Sequence, residues 1–340
     1  MIGLHLLWFF LLGLLLAGYA VLDGFDLGVG SLHLFVAKTD EERRILLNAI
    51  GPVWDGNEVW LVTFGGALFA AFPRAYATAF SGFYLAFVLL LFALIFRAVA
   101  IEFRSKRPER WWRRTLDVLF FLASIGSAFL LGVAVGAVMK GVPVDAEGEL
   151  APNLFALLTP WSMLVGAFVV SLFTLHGAAY LHLKTEGALR ERLRRWTWTA
   201  AGICFVLYAL TTIVALTTVP QATHNFGRFS WAWALVVVNV LALANVPRSL
   251  YFEKSLQAFV SSALTIVCLA GLFGVAQYPN LLTSSTNPAF SLTIFNASSS
   301  EKTLGIMRLV ALIGLPFVLT YTAVVYWVFR GRVKLGRTSY

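Results

Sequence analysis

The sequence predicts an all-α polytopic membrane protein with nine transmembrane helices, its N-terminus outside and its C-terminus inside. Three observations carry that prediction. Of 340 residues, 59% are hydrophobic and 13% charged, and mean hydropathy is +0.80. That balance leaves too little polar surface for a water-soluble domain. Apolar runs of about twenty residues or more recur along the whole chain, each long enough to cross ~30 Å of hydrocarbon. Finally, Lys and Arg gather in short clusters that fall between alternate runs, as the positive-inside rule requires.

The runs lie at roughly 3–35, 45–72, 76–103, 115–139, 155–183, 197–218, 229–246, 256–277 and 304–329. The first has no basic residue before it, the earliest being Lys38, so it reads as a span and not as a cleaved leader. With the N-terminus outside, twenty basic residues fall on the cytoplasmic side, from Lys38, Arg43 and Arg44 to Arg330, Arg332, Lys334 and Arg337. Only Arg74, Lys140, Arg228 and Lys302 fall on the other side. This asymmetry sets the orientation and explains the formal net charge of +9 without any nucleic-acid partner. Trp111, Trp112, Trp196 and Trp198 sit at run ends, where amphipathic rings favour the interface. Residues 1–340 thus form a single integral membrane domain. The longest connection, 278–303, is rich in Ser, Thr, Asn and Pro and reads as an ordered outer loop. Gly24-x-x-x-Gly28 and Gly132-x-x-x-Gly136 have the spacing that lets helices approach closely. Cys204 and Cys268 lie in different apolar runs and read as inert buried thiols.

The chemistry concentrates in a few ionisable residues inside the runs. Asp55 and Glu58 occur in GPVWDGNEVWLV, residues 51–62, three positions apart on one helical face. A charged group in hydrocarbon is costly and persists only with a partner, water or a task. At 1.5 Å per residue, Asp55 and Asp26 each lie ~15 Å from the cytoplasmic end of their runs, and Arg97 ~9 Å. Asp23 lies one turn from Asp26 on the same face, and Glu102 lies at the mouth of the third run. Two readings stay open. In one, Arg97 pairs with Asp26 or Asp55 in a register-fixing ion cluster, capped by Asn57 and by indole donors such as Trp54. In the other, protons pass from Glu102 to Asp55 and Glu58. One guanidinium cannot neutralise Asp23, Asp26, Asp55 and Glu58 together, so at least one carboxyl is protonated or hydrated. Asp117 and Arg308, near run ends, are assigned no role.

Haem ligation needs inward His or Met ligands. His5 and His224 lie near the outer face and His33 and His182 near the inner one. His176 lies well inside a run, but Met139, Met163 and Met307 show no pairing with it. It reads as a hydrogen-bonded packing residue, and the chain is expected to ligate neither haem nor metal.

The sequence resembles subunit II of the cytochrome bd quinol oxidase and cyanide-insensitive oxidase family over essentially its whole length. The resemblance rests on Leu22-Asp23-Gly24-Phe25-Asp26-Leu27-Gly28, Trp54-Asp55-Gly56-Asn57-Glu58-Val59-Trp60, Phe80-Ser81-Gly82-Phe83-Tyr84, Phe96-Arg97, Phe103-Arg104-Ser105-Lys106, His176-Gly177-Ala178-Ala179-Tyr180-Leu181 and Phe295-Asn296-Ala297-Ser298. It implies two four-helix bundles plus one helix, in the cytoplasmic (inner) membrane of a bacterium or archaeon. It implies a partner subunit I that holds two haem b and one haem d, a small single-span accessory subunit, and quinol and dioxygen as substrates of the complex. It also implies a structural quinone in some members, for which the sequence offers no position. In the family the aspartate matching Asp55 and the acidic residue matching Glu102 belong to a cytoplasmic proton route. Some members carry Gln in place of Glu58 and His176, so these two residues tune the shared chemistry and do not define it. The competing class is a stand-alone proton- or cation-coupled transporter, but no inverted repeat or paired broken helices support it.

Overall fold

The computed structural model describes residues 3–150 and 154–336. Thirteen α-helices follow in chain order among them: α1 (Leu4–Val36), α2 (Asp40–Ile50), α3 (Trp54–Ala71), α4 (Pro73–Gly82), α5 (Tyr84–Phe103), α6 (Arg110–Lys140), α7 (Leu154–Leu157), α8 (Pro160–Lys184), α9 (Gly187–Thr218), α10 (Gln221–His224), α11 (Ala232–Tyr251), α12 (Ser255–Gln277) and α13 (Glu301–Val328). Eight of them are long and apolar enough to cross a membrane: α1, α5, α6, α8, α9, α11, α12 and α13. The basic tail expected on the inner side extends past Lys334 to residues 337–340, which lie outside the described residues.

Three expected runs are subdivided. The run 45–72 is broken at residues 51–53, between α2 and α3. Pro52 has no N–H to continue the ladder and disfavours helix in the residue before it. Apolar Ile50 and Val53 hide the break from hydropathy, because both are buried in the core. The run 76–103 is divided at Phe83 between α4 and α5, where Gly82 passes so close to Leu150 that a Cβ would lie 2.1 Å from its Cδ2. The fifth run divides before Pro160, where Thr159 caps α8 by accepting the Ser162 N–H at 3.1 Å. Conversely, α11 runs through Pro247 to Tyr251 instead of stopping at 246.

Packing centres on α1 and α8. Helix α1 touches α3, α6, α8 and α12, and α8 also touches α6, α9 and α12. The α1–α8 crossing is backbone to backbone. A Cβ on Gly28 would lie 1.9 Å from the Phe173 carbonyl oxygen, and one on Gly177 would lie 2.5 Å from the Gly28 carbonyl carbon. Gly132 and Gly136 of α6 likewise meet Gly166 and Ser162 of α8. The small-residue spacings therefore do serve close approach. The pair α11–α12 packs on α8, and α13 lies at the periphery against α1 and α3.

The two ends of the bundle differ. At one end, residues 142–144, 280–293 and the start of α13 interlock. Strands Asn280–Leu282 and Leu292–Thr293 pair antiparallel, and the Trp8 indole donates to the Leu304 carbonyl at 3.0 Å. Asn296 is part of this ordered loop: its Oδ1 accepts the Thr293 N–H at 2.7 Å and its Nδ2 donates to Ser291. The other end carries the basic clusters, with Arg192 of α9 donating to the Val36 carbonyl at 3.1 Å and Lys184 to the Phe329 carbonyl at the end of α13. Cys204 and Cys268 are both free and buried.

Candidate functional site: a carboxylate cluster between α1, α3 and α5

Helix α3 starts beside the middle of α1 and not at the bundle end, because of the break at 51–53. Asp55 is therefore the second residue of a helix, and Glu58 lies one turn in. Carboxylates in a first turn face the positive end of the helix dipole and free N–H groups. The ~15 Å depth argued for Asp55 assumed one unbroken helix. Side-chain contacts now supply the level match. Asn57 Nδ2 donates to the Leu22 carbonyl at 3.2 Å and to Asp26 Oδ2 at 2.8 Å. These contacts hold the start of α3 level with the aspartates of α1.

Arg97, fully buried on α5, defines the ion pairs. Its Nη1 donates to Asp23 Oδ1 at 2.7 Å and its Nη2 to Glu58 Oε2 at 3.1 Å. The expected partners, Asp26 and Asp55, are not the ones it takes. Asp26 is served instead by Asn57, whose Oδ1 accepts from the Tyr326 hydroxyl of α13 at 2.8 Å. The indole donor expected from Trp54 is not part of this set, since Trp54 packs in the apolar core with Ile50, Val53 and Ile101.

Three buried oxygens lack hydrogen-bond partners here: Asp23 Oδ2, Asp26 Oδ1 and the Tyr19 hydroxyl. Tyr19 stands four residues before Asp23, on the same face of α1. A buried polar atom without a partner is one that can take a proton or a water. Asp23, Asp26 and Glu58 set three carboxyls against one guanidinium; Asp55, the fourth carboxyl counted from the sequence, lies outside this set.

Asp55 stands apart, exposed on the outer side of α3 with Gly56 and Val59. Glu58 bridges the two settings, since its side chain is 22% exposed while it holds buried Arg97. Glu102 is half-buried in the last turn of α5, five residues or ~7.5 Å of helical rise beyond Arg97.

A second cluster, absent from the sequence reading, occupies the basic end. Asp117 of α6 is fully buried. It accepts from His33 Nε2 at 2.5 Å, Arg43 Nη1 at 2.6 Å, and Arg104 Nε and Nη2 at 2.5 and 3.2 Å. Arg104 also reaches Asp40, which pairs with Arg113 at 3.0 Å. Arg308, the other residue left without a role, is exposed.

His176, the histidine well inside a run, has no ring nitrogen left for a haem. His176 Nε2 donates to the Val21 carbonyl at 2.9 Å, and its Nδ1 lies 2.7 Å from the Ser262 hydroxyl. Its ring stacks on Phe259 with centroids 4.8 Å apart. Both nitrogens are thus spent on packing, and among the described residues no group of three His, Cys, Asp or Glu side chains could hold a metal ion.

Known proteins agree with this architecture. Residues 4–329 match the family model described as cytochrome bd terminal oxidase subunit II. The chain is 38% identical over 360 residues to cytochrome bd-I ubiquinol oxidase subunit 2 of Escherichia coli strain K12, covering 97% of this chain and 95% of that one. It is 36% identical over 334 residues to cytochrome bd ubiquinol oxidase subunit 2 of Bacillus subtilis, covering 98% of each. The fold matches a chain of the bd oxidase from Geobacillus thermodenitrificans with a TM-score of 0.79 at 20% identity, over 96% of this chain and 98% of that one. Its apolar helices and bacterial relatives make it a multi-pass protein of the bacterial inner membrane, working beside a subunit I. The chain belongs to the cytochrome bd terminal oxidase subunit II family.

Proposed function

We propose that this chain is the non-haem-ligating subunit II of a quinol:oxygen oxidoreductase, which stabilises the haem-bearing subunit I and delivers protons to it from the cytoplasm. In this reading α3 is the ninth span, the N-terminus is outside, and the basic end faces the cytoplasm. Helices α1, α3, α5 and α6 form one bundle and α8, α9, α11 and α12 the other, with α13 alongside. The observation that carries the reading is the position of Asp55. A carboxylate on the outer face of a membrane helix cannot be left against lipid, so a partner covers it. Behind it, Glu58 leads to carboxyls that outnumber their only guanidinium.

The haems of subunit I, when bound there, supply the reduction of dioxygen. What this chain contributes is a sequence of proton-holding oxygens. Glu102 takes protons near the basic end. Asp26, with an unpartnered Oδ1, and Glu58, half open to the α3 face, hold them at mid-depth. Asp55 passes them across the interface. Arg97 holds Asp23 in place through its Nη1, 2.7 Å from Asp23 Oδ1. A small single-span accessory subunit and a structural quinone complete the assembly in this reading.

The test is turnover of the assembled complex. Asp55→Asn keeps the shape and one hydrogen-bond acceptor but removes the titrating proton. Quinol oxidation should fall on the order of tenfold or more, with haem content intact. Glu102→Gln should do less, because water at the mouth can bypass it. Unchanged turnover in Asp55→Asn removes the relay, and loss of haem-containing complex makes Asp55 a structural residue of the interface.

A further inference from the structure

Away from the carboxylate cluster, a groove runs along the outward side of the α11–α12 pair. It opens at the basic end as a recess of about 630 Å³ beside Asn245, Lys254, Gln257 and Ser261. A second recess of about 490 Å³ shares Asn245 and Ser261 and continues past Arg248 to Val238, Leu241 and Leu264. From Arg248 back to Val238 is ten residues, or ~15 Å of rise, half the hydrocarbon thickness of a bilayer. The groove therefore runs from the headgroup level to about the midplane. Asn245, Arg248 and Lys254 flank its mouth, and its lining is apolar.

The mouth is cationic. Arg248 donates from Nη1 to Asn245 Oδ1 at 3.1 Å, and Asn245 in turn donates to the Ser261 hydroxyl at 2.9 Å. Arg190 of α9 donates to the Ser255 hydroxyl at 3.1 Å, bringing a third cation to the same turn. Among the described residues neither Arg248 nor Lys254 pairs with a carboxylate, including Glu253 between them in the turn. The contrast with Arg43, Arg104, Arg113 and Arg192 is clear, since each of those holds an Asp or Glu.

We propose that this groove is a binding site for an anionic glycerophospholipid. Its phosphodiester sits between Arg248 and Lys254, with Asn245 as a neutral donor, and one acyl chain lies along Leu241, Val260 and Leu264. A guanidinium fork and an ammonium match the oxygens of a phosphodiester, and basic recesses between membrane helices select anionic headgroups. The apolar floor excludes a free anion as the natural occupant, because inorganic phosphate would leave that floor uncovered. A basic patch alone would not discriminate in this way.

The probe is phosphatidylglycerol, added to delipidated, fully assembled oxidase and counted by native mass spectrometry. Wild-type complex should retain one more lipid than Arg248→Gln/Lys254→Gln, with affinity for that lipid reduced on the order of tenfold in the variant. Leu241→Trp fills the apolar floor without touching charge and should lose the same lipid. Phosphatidylcholine should bind more weakly, and inorganic phosphate should not displace the lipid. Equal lipid counts in wild type and either variant overturn the proposal. Full displacement by phosphate does so too, making the site one for free anions. If the double variant does not assemble, Leu241→Trp decides alone. Because the readout is bound lipid, its failure leaves the proton route untouched, and a silent Asp55→Asn leaves the lipid site untouched.

Discussion

Two buried ionic clusters tie α1 to its neighbours, and they have opposite charge balance. At the basic end, Asp117 accepts four N–H bonds from His33, Arg43 and Arg104. Cations there exceed carboxylates, and both oxygens of Asp117 are occupied. At mid-depth, Asp23 and Glu58 share Arg97 while Asp26 is held by Asn57, and two carboxyl oxygens are left without partners. Both clusters are desolvated, so burial alone does not separate them. Stoichiometry does. A carboxylate saturated by fixed cations has no vacancy for a proton and acts as a staple. Carboxyls that outnumber their cation must share protons, and such a set can pass them on.

The largest expected effect therefore belongs to the staple. Asp117→Ala leaves buried Arg104 with part-exposed Asp40 alone and half-buried Arg43 with no carboxylate, and removing one partner of a buried ion pair costs roughly 3–5 kcal/mol. The oxidase should fail to assemble or lose most of its thermal stability, as read from yield and haem content. An Asp117→Ala complex that assembles normally but turns over slowly would reverse the two roles.

Next come the two aspartates of α1, three residues apart on one face. Asp23→Asn takes the buried partner from Arg97 and should destabilise by about 3 kcal/mol. Asp26→Asn leaves Arg97 undisturbed and keeps an acceptor for Asn57, so it should cost about 1 kcal/mol. Turnover should fall more than stability in Asp26→Asn, and stability more than turnover in Asp23→Asn. Thermal unfolding and quinol-oxidase assays on the same preparations give that ratio. Equal ratios would mean that charge balance does not divide holding from relaying. Tyr326→Phe removes one donor to Asn57 and should lower stability by about 1 kcal/mol, loosening α13 without emptying the cluster.

Much of the mid-depth cluster was legible because it breaks the pattern around it. Asp23, Asp26, Glu58 and Arg97 are charges in apolar runs, and the rise per residue puts them near one level, whereas Asp55, read into the same set, stands outside it. Pairing was not legible, since several carboxyls at one depth are equivalent until the azimuth of each helix is known. Tyr19 and Tyr326 were missed because a tyrosine in an apolar run reads as an ordinary aromatic. The signal for Tyr19 was its spacing, four residues before Asp23. Asp117 was missed for a different reason. It lies seven residues into α6, near Arg113 and Arg114, where snorkelling to water is the simpler reading. Its actual partners arrive from α1, α2 and the turn after α5. The break at 51–53 did have a signal, Pro52, but the flanking apolar residues outweighed it in a count of hydropathy.

The smallest effect should come from a part-exposed ionic contact of the basic end, Glu42 with Arg192, and its sign can be worked out. Glu42 closes the capping box of α2: Thr39 Oγ1 accepts the Glu42 N–H at 3.2 Å, and Glu42 Oε2 accepts the Thr39 N–H at 3.4 Å as well as the Lys38 N–H at 2.7 Å. Arg192 of α9 donates to the other carboxyl oxygen. Partial burial alone would raise the Glu42 pKa, but the Lys38 N–H and the Arg192 guanidinium outweigh it and hold the carboxyl below the ordinary range. A folded value below the unfolded one adds stability above the ordinary carboxylate range, and that increment disappears as pH falls through the folded value. Glu42→Gln keeps a capping-box side chain but drops the charge, so at neutral pH it should lower stability by roughly 0.3–1 kcal/mol. Thermal unfolding of the two complexes between neutral and acid pH should show the gap closing on acidification. A gap that stays constant would mean that Glu42 acts through shape, and that charge balance governs only the buried clusters.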